Sequence, residues 1–173
     1  MINLSKAQTI EKALIIIKEK YPDISISSSD FEIKVWANKS ELLVKFRRLI
    51  RFIPWGKETS NLVYDISVDL HTKEIEPLDT WRSDRFYIPD DKETEQIEFI
   101  KGVFNLPFKG FETSINEKAD RYEIRVDNKT SFGLYFLDKI TRNEIMSPLQ
   151  GSYIVSPNVG LEDIEEDPLV EIT

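Results

Sequence analysis

Phe31-Glu32-Ile33-Lys34-Val35-Trp36 decides the reading of this chain, because its pattern returns as Tyr122-Glu123-Ile124-Arg125-Val126-Asp127. A polar turn follows each run, Asn38-Lys39-Ser40 in one place and Asn128-Lys129-Thr130 in the other. Apolar and polar residues alternate through both, the mark of a strand with one buried face. Further on, Thr72-Lys73-Glu74-Ile75-Glu76-Pro77-Leu78 returns, with small insertions, as Thr141-Arg142-Asn143-Glu144-Ile145-Met146-Ser147-Pro148-Leu149. A helix-like segment precedes each copy. Ordered recurrence of this kind predicts a duplicated helix-plus-strands unit.

Working outward, Ser5 with Gln8 reads as a capping box, and Ile10, Ala13, Leu14, Ile17 and Tyr21 follow at helical spacing. Pro22 ends that helix. After the first strand, Leu42, Val44, Phe46, Ile50 and Phe52 predict one long second strand, with Pro54-Trp55-Gly56-Lys57 turning the chain. Leu62, Tyr64, Ile66, Val68 and Leu70 alternate through a third. A turn near Lys57 sets Lys45 opposite Asp69 and Arg47 opposite Ser67. Asp90 with Glu93 caps a second helix carrying Ile97, Ile100, Val103 and Phe104. An edge strand over 111–115, strands over 122–126 and 132–137, and a last one over 143–148 complete the pattern. The second copy has no counterpart of the long basic strand, so the repeat is partial.

The expected fold class is therefore α+β: two related helix-plus-antiparallel-meander units, each helix packed on one face of a sheet. The expected division is 1–78, a linker over 79–89, a second unit over 90–154 and an acidic tail over 155–173.

Among 173 residues there is no cysteine, which excludes disulfides, thiol nucleophiles and zinc–thiolate sites. No apolar run approaches the roughly 20 residues of a membrane helix. Ile15-Ile16-Ile17 lies among Glu11, Lys12, Lys18 and Glu19 and is too short for the apolar core of a signal peptide, so a cytoplasmic protein is expected. Net charge is −8, and six of the acids (Glu162, Asp163, Glu165, Glu166, Asp167 and Glu171) crowd into 161–173 without a base. The rest of the chain is near neutral, which argues against general nucleic-acid binding. The tail, with Leu161, Ile164, Leu169 and Val170 among its acids, suits a basic protein partner or a solvated terminus.

His71 is the sole histidine, predicted on an outward strand end. A triad or imidazole metal site would have to use it, and a solvated turn is the simpler reading. Asp65 and Asp69 share a face as cation ligands would, or as cross-strand partners of Lys45 and Arg47. No phosphate-cradling glycine loop is present, and no cofactor or metal is expected. Arg48 falls in the inward register among Val44, Phe46, Ile50 and Phe52. A buried guanidinium must be satisfied. A β-bulge to water, a partly buried acid, or a ligand carboxylate in a pocket shared with Tyr64 would each do so. Trp81-Arg82-Ser83-Asp84-Arg85-Phe86-Tyr87 combines aromatics with arginines, as interfaces and inter-unit packing do. Phe132-Gly133-Leu134-Tyr135-Phe136-Leu137 is apolar on both faces, the pattern of a central strand or of an exposed patch awaiting a partner.

Tyr64, Asp69, Thr72 and Ile75, within Val63 to Ile75, resemble the closing strand and turn of PepSY-type modules, although Lys73 stands where those modules carry glycine. The resemblance covers roughly residues 5–78 and, less clearly, 90–150. In format the units are also similar to cystatin-like folds and to small immunity proteins that neutralise toxins. It implies a module that binds or inhibits without catalytic machinery. The leading expectation is thus a non-catalytic protein-interaction or inhibitor module, with contacts at Trp55, Trp81, Arg82, Arg85, Phe86 and Tyr87 and with the tail facing a basic partner. The alternatives are a small-molecule or anion binder, or an enzyme, using Arg48 and Tyr64, and a structural subunit of a larger assembly.

Overall fold

The computed structural model describes residues 3–78, 85–145, 148–153 and 167–173. Helix α1 (Lys6–Lys20) is followed by β1 (Phe31–Ala37), β2 (Leu42–Arg48), β3 (Ile50–Ile53), β4 (Leu62–Val63), β5 (Ile66–Asp69), β6 (Ile75–Pro77) and β7 (Arg85–Phe86). Helix α2 (Asp91–Phe104) leads into β8 (Glu112–Glu117), β9 (Arg121–Asp127), β10 (Ser131–Asp138), β11 (Leu149–Ser152) and β12 (Val170–Ile172). The fold is α+β, with helices and largely antiparallel sheets in two compact units.

The units are not consecutive in sequence. The first takes Met1–Arg48, Asn61–Ile88 and Leu161–Thr173, and the second takes Leu49–Ser60 and Pro89–Gly160. This differs from the expected division at residues 78 and 90. The long strand foreseen over 42–52 is in fact two strands in two sheets. β2 pairs with β1 and β5, while β3 runs parallel to β8 in the other sheet, Ile50 against Thr113 and Phe52 against Ile115. Asp65 Oδ1 takes the Arg48 N–H at 2.8 Å, and Leu49 lies outside any strand. The connection to β5 is therefore no tight hairpin about Lys57. Lys45 faces Ser67, and Leu43 faces Asp69, two residues from the expected register.

In the first unit the sheet order is β12-β1-β2-β5-β6. Helix α1 begins as its sequence dictates: Ser5 and Gln8 exchange both capping-box bonds. It lies over β1, β2 and β5. Ala13 and Ile17 pack with Phe31, Val35, Val44, Phe46, Ile66 and Val68. β4 and β7 form a separate parallel pair, so part of the foreseen linker is a strand of this unit.

In the second unit the order is β11-β10-β9-β8-β3. Asp90 caps α2 by accepting the Glu93 N–H at 2.7 Å, and Asn105 ends it in the left-handed region. The Phe104 ring of α2 packs tilted against Tyr135, and Gln96 donates a hydrogen bond to the Tyr122 hydroxyl at 2.7 Å, so α2 covers the face that buries Tyr122, Ile124 and Val126. β8 lies between β3 and β9 and is not the edge strand foreseen over 111–115.

Both units run helix, then a four-stranded meander, with β1-β2-β5-β6 matching β8-β9-β10-β11. The Asp-led turns join matching strands. Asp69 accepts the N–H groups of His71 and Thr72, Asp138 accepts those of Ile140 and Thr141, and Lys73 and Arg142 both take positive φ. The strand echo does not, since it aligns β1 with β9 whereas sheet order matches β1 with β8.

Candidate protein-interaction face

Alternation along β9 sends Tyr122, Ile124 and Val126 under α2 and leaves Arg121, Glu123, Arg125 and Asp127 on the outer face. Register places the half-buried Phe132, Leu134 and Phe136 of β10 on that same outer face, beside Asp127, Arg125 and Glu123. β11 adds the exposed Leu149 opposite Leu134, and exposed Tyr153 follows it. The Arg125 guanidinium lies 4.9 Å from the Phe132 ring, and the Arg121 guanidinium lies 5.8 Å from the Phe136 ring. Both arginines are held there. Arg125 donates from Nε to Asp127 Oδ2 at 3.0 Å and from Nη2 to the Tyr153 hydroxyl at 2.7 Å. That hydroxyl donates to Asp127 Oδ2 at 2.8 Å. Arg121 Nε donates to Glu123 Oε1 at 3.2 Å. The bond to Asp127 raises the Arg125 pKa against the opposing effect of desolvation.

Gly151 makes room for the Phe132 ring: a Cβ there would sit 2.5 Å from it. The face therefore carries flat aromatic surface with arginines already oriented upon it. Aromatic residues and arginine are the types that dominate protein–protein hot spots. Sequence reading had marked 132–137 as apolar on both faces. It had not joined those residues to Arg121, Arg125 and Tyr153, because only the β9–β10–β11 register brings them together.

The residues expected at an interface scatter. Trp55 is exposed at 57%, and its backbone N–H donates to Glu117 Oε1 at 2.9 Å. Burial pushes the Glu117 carboxyl up, but the bonds from the Trp55 amide and Gln96 outweigh it and leave its pKa below the ordinary value. Arg85 is exposed on β7. Phe86 and Tyr87 correct the expectation: both are buried and offer no outward contact. Trp81 and Arg82 lie outside the described residues, as do Glu162, Asp163, Glu165 and Glu166 of the tail. Asp167 is described, and its carboxylate is not held out for a basic partner, because it accepts the Lys39 N–H at 3.0 Å.

Arg48 lies half-buried opposite Phe31, in the inward register its spacing required. No bulge swings it into water. Its guanidinium is 4.5 Å from the Phe31 ring and 5.2 Å from the Tyr87 ring, and Nη2 donates to the Tyr87 carbonyl at 3.1 Å. Its Nε is buried without a partner. Desolvation lowers its pKa, opposed by Tyr87, Asp30, Tyr64 and Asp65. The Tyr64 and Tyr87 rings pack tilted against each other with 4.9 Å between centroids. His71 stands in an exposed turn, and Asp65 and Asp69 are engaged by backbone amides. Among the described residues, no three His, Asp or Glu side chains converge as a metal site would need. No described helix is long and apolar enough to cross a membrane.

Set against known proteins, the chain matches no family model, no curated protein and no solved structure.

Proposed function

We propose that the protein is a non-catalytic, cytoplasmic protein-interaction or inhibitor module, and that its contact face is the outer side of β9, β10 and β11. One observation supports this most: Arg125 is stacked on Phe132 and tied to both Asp127 and Tyr153, so the guanidinium is oriented before any partner arrives. Preorganised side chains lose less entropy on binding, which is how an exposed aromatic and arginine face gains affinity. The PepSY-like pattern in residues 5–78 points to the same class, a module that binds. Quantitative recovery of the native complex with the full-length chain tests the reading. Arg125→Ala removes a hot-spot contact, and a loss of about 2 kcal/mol means roughly thirty-fold weaker recovery. Equal recovery by wild type and variant contradicts it.

A second reading rests on the unpartnered Arg48 Nε, which suits an anion held between Arg48, Tyr64 and Tyr87. Calorimetric titration with a small carboxylate would show binding that Arg48→Met abolishes. Absence of heat with the wild-type chain ends this reading. A permanent structural subunit would use the same outer face, and it differs by showing no free monomer at working concentration.

A further inference from the structure

Without its C-terminal strand, the first sheet would end at β1. Instead β12 adds antiparallel to that edge, with Val35 against Ile172, Trp36 against Glu171 and Ala37 against Val170. Two polar grips lie along the pairing. The Asn38 turn aims the Lys39 N–H at Asp167 Oδ2, 3.0 Å away, and Asn38 Nδ2 reaches the Asp167 carbonyl at 3.4 Å. Further along, Lys34 Nζ lies 3.8 Å from Glu171 Oε2. Lys34 also sits directly opposite Lys45 on β2, with Glu32 Oε1 3.9 Å from its Nζ, so Glu171 brings a second carboxylate to this like-charge pair. Trp36, the cross-strand neighbour of Glu171, keeps its indole N–H buried without an acceptor.

The resident strand holds this edge lightly. Its register covers Val35–Ala37. Val170 is 62% exposed and Ile172 is 37% exposed, so neither apolar side chain is sealed into the core. The Lys34–Glu171 pair is partly exposed, so water competes with it. Segments with so few buried contacts open with free energies far below that of global unfolding. An uncovered edge is a template for an added strand, with main-chain bonds giving affinity and side-chain contacts giving choice.

We propose that the β1 edge is a docking site for an extended acidic strand from a partner protein, and that residues 167–173 occupy it as a displaceable stand-in. The strand it selects carries a carboxylate for the Lys39 amide, a second carboxylate four residues later for Lys34, and an apolar residue next on the Val35 side. This site lies in the first unit and does not rest on the outer face of β9–β11.

The probe is a labelled peptide, Asp-Pro-Leu-Val-Glu-Ile-Thr, read by fluorescence anisotropy against the full-length chain. An Asp167→Ala/Glu171→Lys double variant releases the resident strand without deleting it. The double variant is expected to bind the peptide at least tenfold more tightly than the wild-type chain, where the tethered strand competes at high effective concentration. Adding Lys34→Glu should abolish the gain, and a peptide with its two carboxylates replaced should not bind. Equal or absent binding by wild type and double variant makes residues 167–173 an edge cap only and overturns the proposal. If the double variant loses its native circular dichroism, the wild-type chain decides: millimolar peptide must shift the amide resonances of Val170–Ile172, and unmoved resonances overturn the proposal. A wild-type chain that dimerises with concentration through this edge assigns it to a second copy and also overturns it.

Discussion

Asn38 closes the β1–β2 turn by accepting the N–H groups of Ser40 and Glu41, and Asn128 closes the β9–β10 turn by accepting those of Thr130 and Ser131. In backbone chemistry the two turns are the same. Their strands nevertheless bury opposite faces. β1 buries Phe31 and Val35, at odd offsets before Asn38, whereas β9 buries Tyr122, Ile124 and Val126, at even offsets before Asn128. A one-residue change of phase between turn and hydrophobic set exchanges inside for outside. The outer faces therefore differ in kind. In the first unit the outer face carries Glu32, Lys34, Lys45 and Arg47 around Trp36. In the second it carries Phe132, Leu134 and Phe136 beneath Arg121 and Arg125. A shared hairpin thus gives one charge-laced surface and one aromatic surface.

The comparison breaks most severely at Phe52, fully buried on the strand that the first half of the chain lends to the second sheet. Phe52→Ala is expected to cost about 3–5 kcal/mol in urea unfolding. Amide exchange should quicken first in β8 and β9 while β1 and β2 hold. Loss of protection in β1 before β8 would place Phe52 in the wrong unit. Gly151→Val comes next, because its side chain meets the Phe132 ring. It should cost about 1–3 kcal/mol and shift the near-ultraviolet aromatic spectrum as Phe132 and Tyr153 move apart.

Asn38→Ala and Asn128→Ala sharpen the comparison. Each removes the acceptor of two turn amides and should cost about 1 kcal/mol, with the same sign, and Asn38→Ala should cost somewhat more because it also loses the Nδ2 bonds to Glu41 and Asp167. A larger cost for Asn128→Ala would mean that the turns are alike only in outline. The smallest effect is one of pH. The folded Glu117 pKa lies below its ordinary value, so its contribution is fully present above that value, about 4.3. It is lost as pH falls through the lower folded value. Thermal denaturation of Glu117→Gln should therefore show a shallower loss of stability than wild type below that range, and parallel curves would remove the effect.

Local rules were legible from residue types alone. The Ser5 capping box, the Asp90 cap, both Asn turns and the alternation of β9 are each built from contacts within a few residues. The exchange of strands was not. Val44, Phe46, Ile50 and Phe52 keep one phase across Leu49, so periodicity cannot register that the chain changes sheets there. Arg48 was the one sign of it, a charge in the inward register next to the break. β3 finds its partner in β8, more than fifty residues on, and β12 has only three residues to alternate. The proposed face was half legible: 132–137 stood out as apolar, but its arginines and Tyr153 are assembled by cross-strand register. The linker aromatics misled because Phe86 and Tyr87 pack around Arg48 instead of facing outward.

The most direct measurement places a photo-crosslinking residue at position 134 of the full-length chain, on the outer face of β10, and at the exposed position 11 of α1, inside the native cell. The account predicts a discrete protein adduct from position 134 and none from position 11. An adduct from position 11 alone, or none from position 134, would contradict it.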